Sequence, residues 1–238
     1  MSRMFNIFFA GFLKNMINKN VRFNPIYTVY AGGDDLFLIG PWDTIIDFAI
    51  FIQEKFSIFT CLNDNITISA AIGLFKPSFP VKRFAFRTGE LLEKAKKSSD
   101  KSHFNKNESD HGNKISLFNK VVGWREAKSL LKDGVFLENE VKKNKFNGKS
   151  KINPSFLYRL LIYQKMHNKF KEDGDIKMLK YLSLLSYDIG RNIVEKHVNN
   201  DKILNKDLVH KITELTKDDN MDNLIISISW AVYKNRKN

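Results

Sequence analysis

Two apolar segments joined by the sequence Gly-Gly-Asp-Asp place the strongest constraint on how this chain can fold. Residues 26–31 and 35–39 are rich in β-branched and aromatic side chains, which is typical of strands. The connection between them is short and glycine-rich, as in a β-hairpin turn. Glycine reaches positive φ angles and has no Cβ, so a large ligand can approach the backbone closely. The sequence therefore predicts a β-hairpin whose tip presents the carboxylates of Asp34 and Asp35.

The two adjacent carboxylates are suited to a hard divalent cation. Mg²⁺ and Mn²⁺ prefer oxygen ligands, and no basic residue stands beside Asp34 and Asp35 to neutralise them. The alternative is an ordinary solvated turn with no ligand. The Gly-Gly-Asp-Asp sequence alone does not distinguish a metal site from a solvated turn, so the choice depends on the surrounding sequence.

Composition indicates a globular protein with an anionic partner. The chain has 238 residues, of which 43% are hydrophobic, and carries a formal net charge of +13. Such a charge favours a partner such as nucleic acid, although lysine-rich faces that are merely solvated are the alternative. The single cysteine, Cys61, excludes an internal disulfide and fits a reducing cytoplasm. No apolar run approaches the roughly 20 residues needed to cross a bilayer, so we expect a cytoplasmic protein without a membrane partner.

The order of elements in the first half predicts a particular sheet. Apolar spacing of i, i+3 and i+4 predicts helices at residues 2–19, 43–59 and 81–97, and further strands are predicted at 66–75 and 114–118. A ferredoxin-like palm reads strand, helix, strand, strand, helix, strand, and this chain matches it from the second element onward. The first strand, which lies centrally beside the hairpin, is missing. Because its absence would leave a sheet edge open, we expect another polypeptide to supply it.

The second half reads as helices. Apolar stripes predict helices at residues 124–131, 155–170, 176–197, 205–216 and 223–234. The expected fold class is therefore α+β: a ferredoxin-like palm at residues 1–123 that lacks its first strand, followed by an all-α domain at residues 124–238. The polar loop at 98–113 is predicted to be mobile. Five lysines within residues 142–151 predict a basic linker, either solvated or in contact with RNA phosphates.

The hairpin is the strongest candidate site in the sequence. His167, His197 and His210 fall on separate predicted helices, without a partner cysteine or carboxylate pair at metal-ligand spacing. Neither a G-x-S-x-G elbow nor a Walker lysine loop is present. Transfer of a nucleotidyl group requires metals that bridge phosphate oxygens and cations that balance a triphosphate. The two aspartates, together with the lysines of segment 94–97, could provide both.

Several short segments resemble one family in their order and spacing. They are Ser2-Arg3 with Phe8-Phe9, the run from Tyr30 to Phe37, Gly40-Pro41-Trp42, the run from Ser69 to Phe75, Gly89-Glu90-Leu91, Glu93-Lys94-Ala95-Lys96 and Val122-Gly123-Trp124. Together they resemble the C-terminal part of the large subunit of type III-A (Csm-type) CRISPR effector complexes. The resemblance extends over essentially the whole chain.

The resemblance implies a function and roles for individual residues. It implies a second palm domain, related to GGDEF nucleotide cyclases, that joins ATP into cyclic oligoadenylate once the complex binds target RNA. Asp34 and Asp35 would be the catalytic residues that hold Mg²⁺ or Mn²⁺, and Gly32 and Gly33 would shape the turn against the triphosphate. Lys96 would contact phosphates, and Ser2 matches an adenine-contacting serine. The implied partners are other Csm-type subunits, crRNA and target RNA.

The chain departs from the family in what it lacks. The usual subunit has an HD nuclease domain, a first palm and a zinc-binding region, and its second palm starts with a strand that bears another acidic ligand. We therefore expect a split subunit, whose N-terminal half is a separate chain and whose nucleotidyltransferase activity depends on assembly. The alternative is a catalytically silent scaffold that organises crRNA and neighbouring subunits. A diguanylate cyclase is disfavoured because the tip reads Asp34-Asp35 instead of the Glu-Phe continuation expected in that family.

Overall fold

The computed structural model describes residues 2–98, 112–147, 152–198 and 201–236. The chain divides into two compact units, Met1–Trp124 and Arg125–Asn238. Each unit has its own hydrophobic core. Among the described residues, no helix is both long enough and apolar enough to cross a membrane.

Unit 1 opens with one continuous helix, α1, whose middle is a π-helix. The α-helical parts are Ser2–Asn6 and Leu13–Lys19, and the π-helical part is Ile7–Phe12. The rings of Phe8 and Phe9 are both buried, with centroids 5.4 and 5.9 Å from the Phe56 ring. The sequence predicts the helix but not the π segment. Apolar spacing alone does not distinguish a regular α-helix from one with a locally wider turn.

The predicted hairpin is confirmed. Strands β1 (Tyr27–Gly32) and β2 (Asp35–Ile39) pair antiparallel, and the Gly32 and Asp35 pair closes the ladder. Helix α2 (Trp42–Phe59) follows directly. Leu36 and Leu38 of β2 pack against the core that α1 and α2 form between them. The base of the hairpin is therefore held by the aromatic-rich core of unit 1, while its tip extends beyond that core.

The remaining strands of unit 1 form a second sheet. Strand β3 (Ala70–Ala71) pairs parallel to β4 (Lys114–Leu117), which pairs antiparallel to β5 (Lys120–Gly123). Helix α3 (Val81–Lys97) contacts all three. The predicted strand at 66–75 is wrong in length because only Ala70 and Ala71 pair with β4, and the backbone N–H of Ile72 adds one hydrogen bond to the Ser116 oxygen. The predicted strand at 114–118 turns back at Phe118 and Asn119, where φ is +48° and +66°, and continues as β5.

The two sheets do not join into one. Within the described residues, β2 pairs only with β1, and β3 pairs only with β4. In the predicted ferredoxin-like order, the first strand would lie between β2 and β3. That a separate chain supplies this strand stays a prediction.

Unit 2 is mainly helical but contains a hairpin. Its elements are α4 (Trp124–Asn147), α5 (Pro154–Asp173), a 3₁₀ turn (Ile176–Lys180), α6 (Tyr181–Asn192), β6 (Val194–Val198), β7 (Asp201–Leu204), α7 (Lys206–Leu215), α8 (Asp218–Met221) and α9 (Leu224–Asn235). The predicted all-α domain is therefore wrong in this respect. The helix predicted to run from 176 to 197 ends early, and the β-branched residues Val194, Val198 and Ile203 lie in paired strands instead.

Two predicted loops differ from expectation or fall outside the described residues. Helix α4 continues to Asn147, so the first half of the predicted basic linker at 142–151 is helical. Residues 148–151 lie outside the described ranges. So do residues 99–111, which form most of the loop that the sequence predicts to be mobile.

Candidate active site at the GGDD turn

The tip of the hairpin is a two-residue turn formed by Gly33 and Asp34. Gly33 has a φ of +63°, whereas Asp34 is not among the residues with positive φ. A glycine at the first of the two central positions is the pattern of a type II′ turn, which matches the twist of the flanking strands. Gly32 has no such constraint, and a Cβ added there would lie 3.2 Å from the Tyr30 hydroxyl oxygen. The turn therefore depends on glycine at position 33 in particular.

The carboxylates of Asp34 and Asp35 are exposed at this tip. Neither takes part in a hydrogen bond or an ion pair with the rest of the described chain. Mg²⁺ is usually bound through one or two protein carboxylates, with water and substrate phosphates as the other ligands. The pair fits that arrangement. In the described ranges, no group of three or more metal-binding side chains is assembled, so the turn offers only part of a coordination sphere.

Helix α1 contacts the turn through a side chain that the sequence does not single out. The side-chain oxygen Oδ1 of Asn6 accepts a hydrogen bond of 3.4 Å from the backbone N–H of Gly33. Asn6 is a polar residue between Phe5 and the buried Phe8 on an otherwise apolar stretch of helix. That break in the apolar pattern is the only signal in the sequence for its role. The contact ties the left-handed residue of the turn to the first helix.

The other predicted ligand-binding residues are not brought to the turn. Lys96 lies near the end of α3, half-exposed, and its Nζ is 3.8 Å from Glu93 Oε1. Within the described part of the chain, Lys96 forms no hydrogen bond or ion pair with Asp34 or Asp35. Ser2 is the first residue of α1, and its side chain lies outside the described set. Nucleotide-binding roles for Lys96 and Ser2 therefore stay predictions.

Comparison with known proteins shows what unit 1 is similar to. Residues 1–105 match the family model of the Cas10/Cmr2 second palm domain. The predicted resemblance is confirmed. A curated relative is the CRISPR system single-strand-specific deoxyribonuclease Cas10/Csm1 (subtype III-A) of Enterococcus italicus, 33% identical over 200 residues, which are 81% of this chain and 23% of the relative. The chain thus spans about a quarter of the length of this Cas10/Csm1 protein.

Solved structures share the fold along nearly the whole chain. A Csm1–Csm4 cassette crystallised with one ATP has a TM-score of 0.63 at 18% identity, over 99% of this chain and 32% of that one. A Csm1–Csm4 cassette in complex with cA4 also has a TM-score of 0.63 at 18% identity, over 99% of this chain and 33% of that one. Because the similarity extends past the palm, unit 2 also has a counterpart in the Cas10/Csm1 fold.

Proposed function

We propose that this chain is a subunit of a type III-A CRISPR effector complex and that its palm joins ATP molecules into cyclic oligoadenylate when target RNA is bound. The observation that carries the proposal is the GGDD turn, a glycine-dependent hairpin tip with two exposed carboxylates that have no ion-pair partner in the described part of the chain. It lies within the residues that match the Cas10/Cmr2 second palm domain. The ATP and cA4 bound by the Csm1–Csm4 cassettes of similar fold support a nucleotide as the ligand class.

Each transfer step joins two nucleotides and releases pyrophosphate. A ribose hydroxyl oxygen of one nucleotide forms a bond to the α-phosphorus of another. The bond from that phosphorus to the oxygen bridging to the β-phosphate breaks, and the hydroxyl proton passes to solvent. Bound Mg²⁺ or Mn²⁺ would neutralise phosphate charge and favour ionisation of the attacking hydroxyl. The protein has only to position reactants and balance charge, which the turn is suited to do.

Individual residues have separate roles in this proposal. Asp34 and Asp35 hold the metal ions through their carboxylates. Gly33 has open space where a Cβ would stand, so the triphosphate can approach the backbone there. Asn6 keeps the Gly33 peptide oriented. Lys96 and Ser2 contact the phosphates and the adenine when the nucleotide binds, as in the family that the sequence resembles.

The palm is completed from outside the present sequence. The strand that the ferredoxin-like order requires between β2 and β3 comes from a part of the large subunit outside residues 1–238. Among the described strands, β2 and β3 each have an edge without a partner, which supports this arrangement. The described residues also place no third metal ligand at the turn, and a neighbouring strand can add another carboxylate.

The test is synthesis by the assembled complex. The chain is combined with the N-terminal part of the large subunit, the other Csm-type subunits, crRNA and target RNA, and is supplied with ATP and Mg²⁺ or Mn²⁺. We expect cyclic oligoadenylate, detected by mass spectrometry. Changing both Asp34→Asn and Asp35→Asn removes two charges at constant shape and should lower the rate by on the order of a hundredfold or more.

The matched control changes Asp64→Asn and Glu90→Gln, two exposed carboxylates outside the hairpin, and should leave the rate unchanged. A complex that assembles fully but makes no product, or makes as much with the Asp34 and Asp35 double variant, would identify the chain as a scaffold. Synthesis by the chain alone would refute the requirement for a strand from a partner.

A further inference from the structure

Helix α3 carries a dense row of cations on its outer side. It contains the six basic residues Lys82, Arg83, Arg87, Lys94, Lys96 and Lys97 against the two acidic residues Glu90 and Glu93. Glu93 pairs with Lys96 and Lys97 at 3.8 and 3.4 Å. Within the described ranges, Lys82, Arg83 and Lys94 are exposed and have no carboxylate partner. Part of this charge is therefore available to an external anion.

The unpaired cations lie along one side of the helix. Positions 83, 87 and 94 follow the helical repeat, and position 82 stands beside them with Phe86 one turn further on. The exposed acidic residue Glu90 lies on the same side, between Arg87 and Lys94. The distance from residue 83 to residue 94 along the axis is about 16 Å at 1.5 Å per residue. This is long enough to contact several successive phosphates of an extended polynucleotide. The opposite side of α3 carries Ala95, which is fully buried.

Aromatic groups are interleaved with these cations. The Phe86 side chain is 69% exposed although phenylalanine is normally buried. The guanidinium of Arg87 lies 5.1 Å from the centroid of the Phe79 ring. That ring stacks on Phe75 with centroids 5.2 Å apart, and Phe75 stacks on Phe84 at 5.6 Å. Arg87 thus covers the end of a column of three rings, which holds its planar group in one orientation.

We propose that the outer face of α3, defined as Lys82, Arg83, Phe86, Arg87 and Lys94, binds single-stranded nucleic acid. The four cations contact phosphates, while unpaired bases stack on the ring of Phe86 and on the guanidinium of Arg87. Cations that follow the backbone and planar groups that stack with bases are the two components of single-strand binding. A duplex keeps its bases stacked internally and leaves Phe86 without a partner. The proposal does not involve the turn or Lys96, and Lys94 is the one member of this face that also belongs to the lysine segment 94–97.

A membrane surface or an acidic protein would also be attracted to these cations. Only Val81 and Phe86 among the large apolar side chains of α3 are mostly exposed, so the helix lacks the continuous apolar stripe that interfacial binding requires. An acidic protein would be attracted by the charges but would not account for two oriented planar groups. Single-stranded nucleic acid uses both features.

The experiment measures binding of labelled oligonucleotides to the full chain by fluorescence anisotropy over a range of salt concentrations. The probes are oligouridine and oligothymidine of about 15 nucleotides and a duplex of the same length. The test variant combines Lys82→Gln, Arg83→Gln and Lys94→Gln. The control combines Lys165→Gln, Lys169→Gln and Lys177→Gln, three exposed lysines of unit 2, and has the same net charge.

We expect the α3 variant to lose at least about tenfold in affinity for the single strands at moderate salt, and the control to lose much less. Three phosphate contacts should also reduce the slope of log K against log salt by about 2, at roughly 0.7 per contact on a single strand. Binding of either the ribo- or the deoxyribo-oligomer supports the proposal, and the difference between them identifies the preferred nucleic acid.

Stacking is tested separately. Phe86→Ala should weaken single-strand binding several-fold, and Phe86→Trp should retain it, while duplex binding responds to neither. Because Phe86 is exposed, both variants should keep the circular dichroism spectrum of the wild type. The proposal is overturned if the α3 variant loses no more affinity than the control, or if the duplex binds as tightly as the single strands. It also fails if the chain binds phosphatidylserine vesicles but neither oligomer.

Discussion

The adjacent residues Gly32 and Gly33 are equivalent in the sequence motif but differ in what the backbone demands of them. Only Gly33 adopts a left-handed conformation, with φ at +63°. The sequence predicts a turn here because glycine and aspartate interrupt two strand-like segments. It could not identify which glycine is indispensable, since that depends on the pairing of Gly32 with Asp35. A shift of the strand register by one residue would exchange their roles.

Alanine should therefore have unequal effects at these two positions. Gly33→Ala places a Cβ on a left-handed residue and should lower the free energy of unfolding by about 1–2 kcal/mol. In Gly32→Ala, the added Cβ contacts only the flexible end of the Tyr30 side chain, so the free energy of unfolding should change by less than about 0.5 kcal/mol. Urea unfolding followed by circular dichroism compares the two. Equal losses would argue against the turn geometry described above.

A buried ionic group in unit 2 gives stability a dependence on alkaline pH. The carboxylate of Asp188 accepts hydrogen bonds from Arg159 Nε at 2.5 Å and from the Tyr163 hydroxyl. Burial, reinforced by the neighbouring Asp188 carboxylate, raises the pKa of Tyr163 to about 12 from the usual 10. The fold thus favours the neutral phenol. Its contribution is complete below pH 10 and is lost as the pH rises toward 12, because the unfolded chain ionises first.

Tyr163→Phe should remove this dependence. At pH 8 the variant should be less stable than the wild type, since Asp188 loses a hydrogen bond worth about 1.5–3 kcal/mol. Between pH 10 and 12 the free energy of unfolding of the wild type should fall by about 2–3 kcal/mol relative to that of the variant, so the stability difference between the two proteins becomes smaller. Urea unfolding of both proteins at several pH values measures this difference. Tyr187→Phe, at a tyrosine that is 63% exposed, is the control and should show a constant difference.

At the scale of whole elements, apolar periodicity predicted the longer helices but not the strand boundaries, which depend on backbone pairing with other segments of the chain. The helices of unit 1 have apolar faces long enough to be read from the sequence. The extents of β3 and β5 and the existence of β6 and β7 are set by which backbone groups find a hydrogen-bonding neighbour. Ile66 and Ile68 illustrate the limit: their alternation is strand-like, yet they pack on the core without joining a ladder.

A helix crossing in unit 2 gives a prediction at this scale. A Cβ on Gly134 of α4 would lie 2.9 Å from Trp230 Cβ and 3.0 Å from the backbone oxygen of Ser227, both on α9. Gly134→Ala should lower the free energy of unfolding by about 1–3 kcal/mol through overpacking, even though alanine favours helices. The sequence does not predict this close approach of two helices, because a glycine in a helix can also lie at a position where nothing packs against it.

The control for this crossing is Gly190→Ala in α6, where no heavy atom lies within 4 Å of the added Cβ. There the helix propensity of alanine should act alone and raise stability by about 0.5–1 kcal/mol. Thermal unfolding of the two variants against the wild type measures both shifts. Shifts of the same sign would contradict a close approach of α4 and α9.

At the scale of the whole molecule, the sequence indicated a palm-like first part and a helical second part, and it located the GGDD turn within the first. It could not indicate that the strands of unit 1 form two sheets, because strand order is a tertiary property. Nor could it indicate that Asn6 reaches the turn, since this contact joins residues 27 positions apart. The GGDD motif is visible in four consecutive residues, whereas the contact that holds the turn comes from a residue distant in the sequence.

Within the described residues, strands β2 and β3 each have one edge without a paired strand, which has a consequence for the behaviour of the protein in solution. Each such edge presents backbone N–H and C=O groups that bond equally well to any extended segment, including the same strand of another copy. On the proposal that a strand from outside these residues fills the gap, the protein is exposed to self-association until that strand is in place. Its soluble yield should then depend on how soon the strand becomes available.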